Sequence, residues 1–161
     1  MEDEMQRSTI PTQTDQDVVV VAAGFAWEEY QGHNAYVCKV GRTFRKAQYM
    51  AFYSARQICT LVPLILDPPE TFIFQRGRYP GEIGEIVDNL TGVHDRKEGE
   101  TYQVVRLSSP DDPRTQVLAA PLPNDLKSRS GRVTAFTQKQ RYVSLASLKR
   151  AKTTSDLVGD V

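Results

Sequence analysis

Histidine, cysteine and tryptophan are scarce in this chain: two, two and one among 161 residues. His33 and His94 are each flanked by polar residues and read as surface groups, so a histidine-centred general base or metal cluster has little material. Cys38 and Cys59 stand in apolar, strand-like segments without CxxC or Cys/His spacing. They read as buried thiols and not as zinc ligands. No GxSxG, HExxH, Walker or GxGxxG pattern occurs, so these nucleophile, zincin and phosphate-loop chemistries are without their signatures. Long apolar runs are missing too: none approaches the roughly 20 residues that span a bilayer. The acidic start, Glu2-Asp3-Glu4, is the reverse of a signal peptide's basic one. These absences predict a cytoplasmic protein without a membrane partner, cofactor or bound metal, and they lower the expectation of catalysis without removing it.

What is present centres on residues 41–66. A basic approach (Arg42, Arg45, Lys46) leads into an aromatic strand, Tyr49-Met50-Ala51-Phe52-Tyr53. A polar break, Ser54-Ala55-Arg56-Gln57, precedes the longest apolar run, residues 58–66. The pattern predicts a central hairpin. Upstream, residues 1–16 are polar and acidic and read as a disordered leader. Val18 to Ala23, bounded by Gly24, reads as a buried strand, residues 25–34 as one helical turn or an ordered loop, and residues 35–40 as a short strand.

Downstream, Asp67-Pro68-Pro69 stops the long strand, because proline offers no amide to a ladder. Residues 71–75 read as a strand, and Ile83, Ile86 and Leu90 fall at helical spacing with Gly92 just beyond as a stop. Residues 101–107 and 115–122 flank the turn signal Ser108-Ser109-Pro110-Asp111-Asp112-Pro113 and are paired as a second hairpin. Arg141-Tyr142-Val143 reads as a last strand, with Ser144 capping a terminal helix through Leu145 and Leu148. Residues 153–161 are expected to fray. The expected architecture is α+β and β-rich: one domain over 17–157, a small antiparallel barrel or strongly curled sheet with two or three short helices, and a frayed tail at 158–161.

Charge is distributed unevenly although it sums to zero. Between Tyr30 and Leu66 there is no acid, while Lys39, Arg42, Arg45, Lys46 and Arg56 are present. Between Leu126 and Ser155 there is again none, while Lys127, Arg129, Arg132, Lys139, Arg141, Lys149, Arg150 and Lys152 are. If the two segments meet in space they form a positive groove suited to phosphates. Tyr36, Phe44, Tyr49, Tyr53, Tyr79, Phe136 and Tyr142 interleave with the basic residues and offer stacking faces for unpaired bases. The loop Arg76-Gly77-Arg78-Tyr79-Pro80-Gly81 supplies two further cations beside glycine, where backbone can approach a phosphate. The expected nucleic-acid contacts are therefore Lys39, Arg42, Arg45, Lys46, Arg76, Arg78, Arg129, Arg132 and Arg141. A different reading gives the basic face to an acidic protein partner. A third is a metal-dependent hydrolase built on Asp67, Glu70 and His94.

The Tyr49-Met50-Ala51-Phe52-Tyr53 strand followed by a long run ending in Leu64-Ile65-Leu66 resembles the core of PUA-like folds, the EVE, YTH and ASCH relatives. The likeness covers about 25 residues and is one of hydrophobic pattern. It implies RNA binding, or binding of DNA with a modified or flipped base, between an aromatic pocket and a basic rim. On that resemblance Trp27, Tyr53 and Tyr79 are the cage residues, and Arg42, Arg45, Lys46 and Arg129 the rim. The segment Lys39-Val40-Gly41-Arg42-Thr43 is also similar to the second motif of GIY-YIG nucleases, but the family's first tripeptide is absent from its place.

Overall fold

Alternation of side chains along two neighbouring strands builds the molecule outward from its centre. The computed structural model describes residues 16–158. The expected leader therefore lies outside the described residues except for Gln16, and the expected tail except for Val158. Strands β1 (Val18–Ala22) and β3 (Tyr49–Ser54) pair side by side, Val18 opposite Tyr49 through Ala22 opposite Tyr53. Because successive strand residues face opposite sides, Val18, Val20 and Ala51 enter one core cluster, while Val19, Val21, Met50 and Phe52 enter another. All four valines of β1 are fully buried, each worth about 1.5–3 kcal/mol relative to exposure. This two-faced burial explains why the sequence reads as an unbroken apolar run here.

The remaining elements cover those two faces. After β1 comes α1 (Ala26–His33), longer than the single turn allowed for, with Glu28 and Glu29 in its first turn where acids suit the helix dipole. It stops at Asn34, whose left-handed backbone (φ 56°) lets its N–H donate to the Tyr30 carbonyl. Strand β2 (Ala35–Lys39) follows, and then β3. The expected central hairpin forms: β3 turns at Ala55-Arg56 (φ 55° and 64°) into β4 (Gln57–Ile58). The long apolar run is not one strand, however. Thr60 turns its carbonyl to the Leu118 N–H, β5 (Leu61–Val62) pairs away from β3, and Leu64 returns to bridge Tyr49. Proline at position 63 contributes only its carbonyl, which accepts from the Met50 N–H.

Beyond the Asp67-Pro68-Pro69 stop lie β6 (Glu70–Ile73), α2 (Gly81–Leu90), β7 (Thr101–Arg106), β8 (Gln116–Val117), β9 (Leu122–Pro123) and β10 (Gln140–Val143). Two helices close the described chain: α3 (Leu145–Arg150), capped by Ser144 as expected, and α4 (Ser155–Val158). The ordered α4, with Leu157 buried, replaces the fraying expected after Thr153. The fold is α+β and strand-rich. A five-stranded sheet, β9-β4-β3-β1-β10, curls into a half-barrel, and a three-stranded sheet, β2-β7-β6, faces it. Residues 64–66 stitch the two: Ile65 N–H reaches the Gln48 carbonyl, Leu66 N–H the Arg106 carbonyl, and Ser108 N–H the Leu64 carbonyl.

Two pairings depart from expectation. Strands β1 and β3 run parallel within an otherwise antiparallel arrangement, since α1 and β2 form the crossover between them. The expected hairpin of residues 101–107 with 115–122 does not form. Both edges of β7 are already occupied, by β2 and β6, so β8 pairs with β5 and β9 with β4. The turn between them is held by side chains: Ser108 and Thr115 hydroxyls lie 2.6 Å apart, and Thr115 donates to the Ser109 carbonyl. Among the described residues, no helix is long and apolar enough to cross a membrane.

Candidate functional site

The two acid-free segments do touch. Arg42, in the loop after β2, donates from Nε to Gln140 Oε1 (2.8 Å), from Nη1 to the Tyr36 hydroxyl (2.5 Å) and from Nη2 to the Lys139 carbonyl (2.6 Å). Three of its donors are thus spent on the protein itself, and its guanidinium lies 5.5 Å from the Phe44 ring centre. Arg42 is a strut between the β2–β3 loop and β10. Burial pushes the Tyr36 phenol up to about 12 against the opposing pull of Arg42, so it stays a neutral acceptor. Gln140 answers from the other side, donating to the Thr43 carbonyl at 2.9 Å.

Arg45 is different. Its backbone N–H donates to the Tyr142 hydroxyl (2.6 Å), while its exposed guanidinium lies over the Tyr142 ring, 3.9 Å from the ring centre, and donates to Gln16 Oε1 at 2.7 Å. A guanidinium stacked in this way keeps its charge in water and adds cation–π attraction of about 0.5–1 kcal/mol. Lys39, Lys46 and Lys139 are exposed nearby in sequence on the two segments that Arg42 joins. Among the described residues no carboxylate forms an ion pair with these cations.

Beside this seam opens a pocket of about 430 Å³, within the size range of small-ligand sites. Phe44, Arg45, Lys46 and Ala47 form one wall, Ile65 to Pro69 the other, and Met50 and Val105 the floor. The loop 41–48 and the Asp67-Pro68-Pro69 stop create it, because neither is filled by a strand partner. Its lining is mostly apolar with Arg45, Lys46 and Asp67 at the rim, and Asp67 is engaged by Arg106 at 3.4 Å.

The other expected contacts lie elsewhere. Arg141 is tied to the Phe136 carbonyl (3.0 Å) and lies 4.7 Å from that ring. Arg129 and Arg132 are exposed on a narrow loop closed by the Lys127–Val133 bridge. Arg76 donates to the Thr91 carbonyl and pairs with Glu98, and Arg78 lies over Tyr79 at 5.7 Å. These two belong to the loop before α2 and make no hydrogen bond with the seam among the described residues.

The expected aromatic cage is not assembled. Trp27, half-buried, packs with Tyr30 and Phe52 against one face of the five-stranded sheet. Tyr53 packs against Phe136 on the opposite face of the same sheet. Tyr79 packs on Phe72 beneath α2 in a third cluster. Strand alternation separates the first two, and a whole sheet separates the third. Phe44 is the aromatic that the pocket beside the seam uses, and Tyr142 the one beneath Arg45. Both stood among the aromatics interleaved with cations, but nothing local distinguished them from core residues.

Sequence reading also missed a buried charge cluster. Glu29, 6% exposed, accepts from Arg96 at 2.6 and 2.7 Å and lies 2.9 Å from His94 Nδ1. Burial pushes its carboxyl up, but the Arg96 and His94 hydrogen bonds outweigh that and hold it below its usual range. His94 stacks on Phe25, ring centres 3.6 Å apart, and both His94 and Asp95 take left-handed backbone (φ 53° and 66°). With His94 so engaged and Asp67 on Arg106, the Asp67, Glu70 and His94 set is not brought together. Among the described residues no group of three or more metal-ligating side chains converges. Cys38 and Cys59 are both free thiols, which burial pushes up to about 11. Comparison with protein-family models, curated proteins and solved structures finds no match to this chain.

Proposed function

We propose that the protein binds nucleic acid, RNA or DNA, along the seam between the β2–β3 loop and β10, without catalysis. In this reading Lys39, Arg45, Lys46 and Lys139 meet phosphates, and the adjoining pocket takes an unpaired or modified base against Phe44. The PUA-like resemblance belongs to the same proposal. The observation that carries it is the meeting of two sequence-distant, acid-free segments through Arg42, beside an apolar pocket whose rim carries Arg45 and Lys46, its one acid, Asp67, being paired with Arg106. Phosphate recognition requires clustered cations, and base recognition requires an apolar face next to them.

Fluorescence anisotropy with short labelled RNA and DNA oligonucleotides across a salt series tests it. The logarithm of affinity should fall linearly with the logarithm of salt concentration. Arg45→Ala and Lys46→Ala should each flatten that slope by about 0.7–1. Arg114→Ala should not, because that cation already pairs with Asp112. Affinity that is absent, or indifferent to salt, rejects the reading. If pull-downs from nuclease-treated lysate instead enrich acidic proteins dependent on Arg45 and Lys46, the surface serves a protein partner.

A further inference from the structure

We infer that the pocket beside the seam selects an unpaired guanine, and that Asp67 is the residue that reads it. This deepens the nucleic-acid reading above and rests on it. In the wall formed by residues 65–69, the side chains of Ile65, Leu66, Pro68 and Pro69 are apolar and Asp67 alone is polar. The backbone adds few donors there. The Ile65 and Leu66 N–H groups are spent on the Gln48 and Arg106 carbonyls, and proline has none. A carboxylate accepts hydrogen bonds and does not donate them. Arg106, whose guanidinium also meets Glu82, lies 3.4 Å from Asp67 Oδ2. Among the described residues Asp67 has no other side-chain partner. Each carboxylate oxygen accepts more than one hydrogen bond, so Asp67 can still take a bidentate partner.

A base stacked on Phe44 would turn its hydrogen-bonding edge to this wall. Guanine carries two adjacent donors on its Watson–Crick edge, N1–H and the 2-amino group, a spacing that matches the two carboxylate oxygens. Its O6 acceptor suits the cations Arg45 and Lys46 of the facing wall. Adenine and cytosine each offer one amino donor beside a ring-nitrogen acceptor, which would face the second carboxylate oxygen. Uracil and thymine offer one N–H between two carbonyls, so repulsion accompanies their single bond. A good bidentate pair discriminates between bases by about five- to hundredfold. Asp67, its side chain 49% exposed, competes with water and should deliver the lower part of that range, about five- to twentyfold.

The test titrates the whole chain and its Asp67→Asn variant against labelled uridine nonamers whose central base is uracil, guanine, adenine or hypoxanthine, read by anisotropy at low salt. The guanine oligonucleotide should bind about five- to twentyfold more tightly than the all-uracil one. Hypoxanthine keeps N1–H and O6 but lacks the 2-amino group, and should fall between the two. Asp67→Asn should erase the guanine preference and leave the salt slope unchanged, because Asp67 neutralises no phosphate. Equal, salt-dependent affinities of the unaltered chain for all four overturn the inference while leaving the nucleic-acid reading standing. Hypoxanthine bound as tightly as guanine, or a guanine preference that survives Asp67→Asn, overturns it too. The hypoxanthine comparison needs only the unaltered chain, so it decides even if the variant fails to fold. No binding to any of the four rejects the nucleic-acid reading and this inference with it.

Discussion

Replacing Arg96 by alanine should expose how much of the fold depends on one buried carboxylate. Glu29 sits in α1 with its side chain 6% exposed, and Arg96, itself 11% exposed, supplies two of its hydrogen bonds. Removing one partner of a buried pair costs about 3–5 kcal/mol, because the other charge stays desolvated. His94 remains 2.9 Å away, which places the expected loss near the lower end, about 3 kcal/mol, or a Tm lowered by roughly 6–12 °C for a chain of this size. Glu29 titrates below its ordinary value of 4.5. Its ionised form therefore contributes stability that is complete above about pH 4.5 and is lost as pH falls through the lowered native value. Arg96→Ala should flatten that acid limb, since burial then acts without its main opponent. Urea denaturation from pH 3 to 7 reads both effects. The double variant Glu29→Gln/Arg96→Ala should recover much of the loss, because no charge is left stranded. A loss under about 1 kcal/mol for Arg96→Ala, or strict additivity in the double variant, refutes the reasoning.

Two further substitutions probe what the fold alone reveals. Leu157→Ala should lower stability by about 2–4 kcal/mol in denaturant titration, because α4 buries that leucine, 5% exposed, in the cluster beneath the five-stranded sheet; a neutral result would mean that the terminal segment does frays as its composition suggests. Gly84→Ala in α2 should destabilise despite alanine's helix advantage of about 1 kcal/mol, because an added Cβ would come within 2.0 Å of the Tyr79 carbonyl oxygen. Thermal melts showing Gly84→Ala to be as stable as the parent would contradict that packing.

Local chemistry made several elements readable. Four valines in succession, the Asp67-Pro68-Pro69 stop, the Ile83/Ile86/Leu90 spacing and the Ser144 cap all correspond to elements that form. The central hairpin was legible from its two apolar arms. The place of its turn was legible too, at the polar break, but not the turn's type, because Ala55 and Arg56 adopt left-handed backbone that normally selects glycine or asparagine. The second hairpin was misread for a related reason: a turn signal states that the chain reverses, not which edge it then meets.

The candidate site divides along the same line. Composition and order along the chain determined that cations gather in two acid-free stretches, that apolar strands alternate, and that metal-ligating residues are few. Only the tertiary structure decided that Arg42 would be consumed as a strut, that Arg45 would lie open over Tyr142, and that Trp27, Tyr53 and Tyr79 would fall into three separate clusters. The physical reason is that charge segregation and periodicity are properties of neighbours along the chain. Which side chains share a pocket depends on strand register and sheet order, where a shift of one residue moves every side chain to the opposite face.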